Sequence, residues 1–221
     1  MLKLKTMIKA VLFDLDGLMV DSEPHSLAAW QAVLARRGAR FDQPTIDSIL
    51  GLRLFETARL AIRLFDLNDE PEALAQEKTD YQIAHLSGNV WPMPGLSELL
   101  DLIDRRGLSK AIASSGTRAY VHAVLATTHL DHRFNTVITG DDVLNGKPAP
   151  DVFLAAAAAL HVPPEQCLVL EDAPAGAQAA KAAGMTCFAV PNDFTRHLDL
   201  SLADQIVPSL QEVKTILTSP A

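Results

Sequence analysis

Cysteine is nearly absent: Cys167 and Cys187 are the only two in 221 residues, each inside an apolar stretch. That count excludes a disulfide scaffold and a cysteine-based zinc site, and the pair reads as two buried free thiols. No uninterrupted apolar run approaches the roughly 18 residues that a membrane span requires. Basic charge is scarce as well. Nineteen Lys and Arg against 27 Asp and Glu give a formal charge of -8, and the densest basic cluster is only Arg36, Arg37 and Arg40. A surface of this sign repels a phosphate backbone, so no nucleic-acid partner is expected without a basic patch. The opening MLKLKTMIKAVLFDLDG puts acids straight after a short apolar run and lacks a signal-peptide cleavage pattern. The expectation is a cytoplasmic monomer with no membrane partner.

What remains is ordinary globular material, 48% apolar and 21% charged, which excludes a disordered or fibrous chain. The length suffices for one α/β domain, or for a core with a small second domain. The β-branched and aromatic run at 8–13 reads as a buried strand that stops at DLDG. From Ser26 the spacing turns helical, with Leu27, Trp30, Val33 and Leu34 on one face and Gly38 as a stop. Helical patterns also cover 57–65 and 70–86, and no strand is expected between about 20 and 87. The turn-rich SGNVWPMPG marks a boundary. Beyond it, helices at 96–106, 118–127, 152–160, 173–183 and 210–217 alternate with strands at 110–113, 136–138, 167–170 and 186–190. A short edge strand is placed at 205–207. This rhythm predicts a parallel sheet covered on both faces, with a helical insertion after its first strand.

In an open parallel sheet, functional groups gather at the carboxyl ends of the strands. Those ends deliver Asp14 and Asp16; then Ser114, Ser115, Gly116 and Thr117; then Thr139, Asp141 and Asp142, followed by Lys147; and finally Glu171 and Asp172. Several carboxylates at one rim repel one another unless a cation lies between them. An all-oxygen donor set without a Cys/His cluster or HExxH points to Mg²⁺ rather than zinc. Asp14 and Asp172 are the natural side-chain ligands, with the Asp16 backbone carbonyl as a further oxygen. Lys147 balances the negative charge, while Ser114 and the Leu15 backbone amide are placed to hold phosphoryl oxygens. A carboxylate at Asp14 can attack phosphorus, and a second acid two residues on can protonate the leaving alcohol. Gly17 permits the sharp turn that brings Asp16 back over the site. Each piece alone has a plainer reading: DxD as a turn, Glu171–Asp172 as a helix cap, Trp30 and Phe65 as packing. His25, near the start of the insertion, suits either the cleft or the surface. His122, His129, His132 and His161 form no ligand spacing and read as surface residues.

Taken together, FDLDGLMVDSE (13–23), IASSG (112–116), GKPAPDVF (146–153) and LEDAPAGAQAAKAAG (170–184) resemble the haloacid dehalogenase superfamily. They are most similar to its β-phosphoglucomutase and sugar-phosphate phosphatase branch. The resemblance implies a Rossmann-like core over 1–19 and 88–221 and a helical cap over 20–87, hinged near 18–20 and 87–93. It implies Asp14 as nucleophile and Asp16 as general acid/base. Phosphate would be bound at Ser114 and Ser115 and neutralised by Lys147. Magnesium would sit at Asp14, Asp16 and Asp172, with Glu171 in or beside its shell. Dehalogenating members lack the second aspartate, so phosphate chemistry is expected, on a small phosphorylated metabolite such as a sugar phosphate. In the cap segment ILGLRLFE (49–56), Leu50 and Leu54 stand where the mutase pattern has lysine and arginine. Arg53 is adjacent and is expected to touch substrate, and His25 resembles the mutase cap histidine across a one-residue gap. A phosphatase is therefore expected, with a phosphosugar mutase as the alternative and a non-catalytic phosphate or metal binder as a third reading.

Overall fold

Alternation decides how the first strand is used. In β1 (Ala10–Phe13), Ala10 and Leu12 face one apolar cluster while Val11 and Phe13 face another, and all four are fully buried. β1 is the centre of a parallel sheet in a computed structural model that describes residues 7–49 and 52–218. Its companions are β2 (Ser109–Ala113), β3 (Val137–Ile138), β4 (Cys167–Glu171), β5 (Thr186–Ala189) and β6 (Gln205–Ile206). The order is β3-β2-β1-β4-β5-β6, every pairing parallel. The chain thus builds outward from β1 in one direction, then returns to start again at β4. That reversal opens a crevice beyond the carboxyl ends of β1 and β4, where binding sites of such sheets lie.

Helices α5 (Leu96–Arg105), α6 (Arg118–Thr127) and α9 (Leu210–Thr218) contribute to the cluster on one face of the sheet. The alanine-rich α7 (Asp151–Ala159) and α8 (Pro174–Ala182) contribute to the other. Small side chains there permit close helix–sheet approach, and both cysteines lie buried and free, Cys167 and Cys187 in this second cluster. Among the described residues no helix is long and apolar enough to cross a membrane.

Among its described residues the insertion forms four helices, α1 (Glu23–Ala35), α2 (Gln43–Ile49), α3 (Leu54–Phe65) and α4 (Pro71–Ala84), around their own core. Trp30 and Phe41 meet edge to face at 5.7 Å within it, the packing role expected of Trp30. Two of the departures from the sequence expectation have a local cause. α2 has only one buried side chain, Ile46, so it carries no apolar stripe to read. α1 begins at Glu23 rather than Ser26, because Pro24 starts the helix while the Ser22 side chain makes no cap. The chain leaves and re-enters the sheet side by side: Asp21 N donates to Trp91 O and Met93 N to Met19 O, both at 2.8 Å.

Candidate active site

The ladder between β1 and β4 runs one residue past β1, with Asp14 N donating to Leu170 O at 3.0 Å. This places the Asp14 carboxylate beside Glu171, which closes β4, and Asp172, which follows it. Ligand oxygens of the three buried acids lie within 4.8 Å of one another. Lys147, reaching in from the loop before α7, donates to Asp14 Oδ1 and, at 2.6 Å, to Glu171 Oε1. Glu171 Oε2 accepts from the amides of Asp172 and Ala173 at 2.9 and 3.1 Å. Glu171 therefore braces the turn before α8 and holds the lysine, but it is not the helix cap of its plainer reading: α8 has no side-chain cap at its N-terminus. Asp172 Oδ2 accepts from Asn192 Nδ2 at 2.8 Å, and the same amide reaches Gly17 O at 3.1 Å. Gly17 has φ +77°, and a Cβ there would fall 2.4 Å from Asp172 Oδ2, so only glycine fits this turn. From the end of β2, Ser114 is buried, its Oγ accepting from Gly116 N at 3.0 Å, while Ser115 lines the cleft. Leu15 is buried, with its carbonyl taken by Met19 N and Val20 N.

Three buried carboxylates share one ammonium here, and the charge balance shows it. Burial, then Glu171 and Asp16, push the Asp14 carboxyl well above its usual range despite the pull of Lys147. Asp172 is raised in the same way, by burial and then by Glu171 and Asp14. For Lys147, burial acts downward, but Asp14 and Glu171 overcome it and the net direction is up. An anionic surplus of oxygen donors at one buried point fits a hard divalent cation.

The cap supplies the opposite wall of a cavity of about 110 Å³, small beside the roughly 300–1,000 Å³ of drug-sized ligand sites. Leu27, Trp30, Ile46, Ile49, Leu52 and Leu54 make that wall largely apolar. Set into it are Glu23, Ser26, Thr79, Gln82 and Lys78. Lys78 Nζ bonds Gln82 Oε1 and Ser26 Oγ; burial pulls its pKa down to about 8, against Asp16 and Glu23. Glu23, deep in the wall with part of its surface open to the cleft, is pushed up to about 7 by burial and by Asp16. A carboxyl raised from 4.5 to about 7 holds its proton better folded than unfolded, so its contribution is lost as pH rises between those values. Glu23→Gln is therefore expected to gain on the order of 1–3 kcal/mol over the parent at pH 8 and little at pH 4.5. Urea midpoints at the two pH values check this.

Comparison with known proteins agrees with this geometry. The haloacid dehalogenase-like hydrolase family profile matches residues 11–190. The chain belongs to that family. Fructose-1-phosphate phosphatase YqaB of Escherichia coli (strain K12) is 38% identical over 178 residues, which cover 79% of this chain and 92% of that one. Protein CbbY of Rhodobacter capsulatus is 34% identical over 222 residues, covering 94% and 96%. The crystal structure of CbbY from Rhodobacter sphaeroides in complex with phosphate has a TM-score of 0.84 at 28% identity, covering 94% and 96%. This hydrolase is a phosphatase-type enzyme of the capped branch shared with the β-phosphoglucomutases.

Not every residue singled out in the sequence lies at the hydrolase's cleft. His25 is neither on its wall nor on the surface: it is buried between α1 and α4, with Nε2 bonded to Gln82 O at 2.9 Å. Burial lowers its pKa, leaving a neutral ring that joins two cap helices. Arg53 also departs from the expectation of a substrate contact. It precedes α3 in extended conformation, so Leu52 and Leu54 face the cleft and Arg53 points the other way. Its guanidinium donates to Leu144 O at 3.0 Å and Gly140 O at 2.6 Å, clamping the cap onto the loop that carries Lys147. Asp142 closes a capping box with Thr139 and pairs with Arg118, while Asp141 accepts from Arg118 N, so these two acids anchor a turn. Leu50 lies outside the described residues.

Sequence reading missed Ser22, Glu23, Lys78, Tyr120 and Asn192. The signal available for Ser22 and Glu23 was their place in FDLDGLMVDSE; in the structure Ser22 Oγ does not cap α1 but donates to Asp16 Oδ1 at 2.6 Å. Lys78, Tyr120 and Asn192 carry no local pattern.

Proposed function

We propose that this chain is a magnesium-dependent phosphomonoester hydrolase for small polyhydroxylated phosphates, working through a phosphoaspartate on Asp14. The observation that carries the reading is the Asp14 carboxylate held by Lys147 beside Asp172, with Asp16 facing the same cleft. Asp14, Asp172 and the Asp16 carbonyl would hold the metal. Glu171, whose oxygens already serve Lys147 and two amides, stands beside that shell and keeps the lysine in place. Bound magnesium supplies charge neutralisation for the phosphate and for the transferring group.

Lys147 fixes Asp14 through Oδ1, leaving Oδ2 to attack phosphorus. As the ester P–O bond breaks, Asp16 passes a proton to the departing alkoxide, which leaves as the alcohol. Asp16, now a carboxylate, takes a proton from the water that attacks the phosphoaspartate. The P–O bond to Asp14 then breaks, and phosphate and the original carboxylate are restored. Ser114, Ser115 and the Leu15 amide are assigned to the phosphoryl oxygens, and the cap excludes bulk water during transfer.

The small cavity and its mixed wall support a short polyol rather than a nucleoside as the alcohol portion. Glu23 and Lys78 are suited to its hydroxyl groups, and a phosphatase for fructose 1-phosphate among the relatives agrees with that class. Arg53 turned onto the core and Leu54 in an apolar wall support water as acceptor over a second phosphosugar. The test is phosphate release with Mg²⁺ from three- to six-carbon polyol phosphates, phosphoglycolate, nucleotides and pyrophosphate. Release is expected to be greatest from the polyol esters and to vanish with a chelator. Absence of release from every ester, with isomerisation of β-glucose 1-phosphate in its place, would assign the mutase instead.

A further inference from the structure

Asp16 is held from two sides on a single oxygen. Ser22 Oγ donates to its Oδ1 at 2.6 Å and Tyr120 Oη donates to the same Oδ1 at 2.7 Å. The two donors differ in where they are mounted. Ser22 precedes α1, on the cap side of the chain. Tyr120 lies in the first turn of α6, one turn after the Ser114–Ser115 segment, with its amide bonded to Thr117 at the helix start. Its ring is buried against Gly116, where a Cβ would fall 3.1 Å from ring Cδ1, and it lines the cleft. Tyr120 takes no part in the bond changes of the reaction, yet its buried hydroxyl is aimed at the reacting carboxyl.

A carboxylate oxygen has about two lone-pair sites, so two donors on Oδ1 leave no place there for a third proton. The proton that travels to the leaving group must then reside on Oδ2. We propose that Tyr120 is a positioning residue for Asp16: it occupies Oδ1 from the rigid core and so presents Oδ2 as the atom that gives and takes the proton. This rests on the phosphatase reading. In the first half-reaction the Oδ2–H bond breaks as a hydrogen forms a bond to the ester oxygen, whose electron pair comes from the breaking P–O bond. In the second half-reaction Oδ2 regains that proton from the attacking water, so Asp16 returns unchanged. Because Tyr120 is mounted on the sheet domain, its hold on Oδ1 does not depend on the cap, whereas that of Ser22 does.

The test uses leaving groups of different need. An alkoxide requires a proton to depart, whereas the acetate of acetyl phosphate does not. The value of kcat/KM, which reports only the phosphorylation half-reaction, is measured at saturating magnesium for the best polyol phosphate of the panel and for acetyl phosphate. Tyr120→Phe, which removes one oxygen and keeps the ring, is expected to lower the value about tenfold for the polyol ester and less than about twofold for acetyl phosphate. Ser22→Ala, outside the core helix, is expected to show the same selectivity with a smaller loss. Equal losses on the two donors, or none, would overturn the positioning role, as would a selective loss confined to Ser22→Ala. A parent enzyme inactive on both compounds would overturn the phosphatase reading and this inference with it.

Discussion

Asp14→Asn is expected to abolish turnover while leaving the fold as firm as before or firmer. The amide has no anionic oxygen with which to attack phosphorus, and no other described acid can take over without displacing the geometry. Asp172 is tied to Asn192, and Glu171 to Lys147 and two amides. Phosphate release should fall by at least about 10³-fold. Stability moves the other way for an electrostatic reason. Three buried carboxylates face one ammonium, and the Asp14 carboxyl is held above its usual range because burial and two neighbouring acids disfavour its charge. Removing that charge leaves Lys147 still paired with Glu171 and relieves the repulsion on Asp172. In metal-free buffer the variant's thermal midpoint should equal or exceed the parent's. Adding magnesium should raise the parent's midpoint more than the variant's, since a ligand stabilises the form that binds it. A variant that melts well below the parent without metal would show that Asp14 is a structural anchor, and the account of a charge surplus would fail.

The division between what the sequence disclosed and what it hid follows from how local each signal is. Strand β1, the alternating elements after residue 96 and the insertion between them are written in runs of apolar residues and their periods. The family motifs fall at the strand ends that the topology brings together. Asp14, Lys147, Glu171 and Asp172 were legible for that reason, although Lys147 and Asp14 are 133 positions apart. The cap is different. Its helices pack on a small core of their own, and which side chains face the cleft depends on the rotation of each helix, which a short weakly patterned helix such as α2 does not specify. Arg53 illustrates the point. It lies within the expected segment 49–56, but extended backbone reverses direction at every residue, so Leu52 and Leu54 take the cleft and Arg53 the core. His25 is set by the rotation of its helix, which turns it into the seam between α1 and α4. Lys78 lacks any motif and Glu23 only ends one; their place in the wall emerges when two helices distant in sequence are brought face to face.

Lys147→Met should produce a large loss of stability, with a pH dependence that identifies its cause. Methionine preserves the apolar packing against Phe153, whose ring lies 4.9 Å from the ammonium, so the change is chiefly one of charge. It leaves Asp14, Glu171 and Asp172 buried together with no cation. Breaking a buried ion pair by removing one partner costs about 3–5 kcal/mol, most of it the uncompensated charge that remains. Without Lys147 the carboxyls of Asp14 and Asp172, already raised, rise further. A carboxyl whose folded pKa exceeds its unfolded value contributes stability that is present at low pH and lost as pH climbs towards the folded value. The deficit relative to the parent should therefore be widest at pH 8 and narrow towards pH 5, as read from urea midpoints. Magnesium in millimolar amounts should recover part of the midpoint at pH 8, because a cation among the three acids replaces some of the lost charge. Turnover should stay down by at least about 10²-fold, since no other described cation is bonded to Asp14 Oδ1. A deficit that is the same at both pH values would mean that the acids lose nothing electrostatic with the lysine, and the cause would then lie in packing alone.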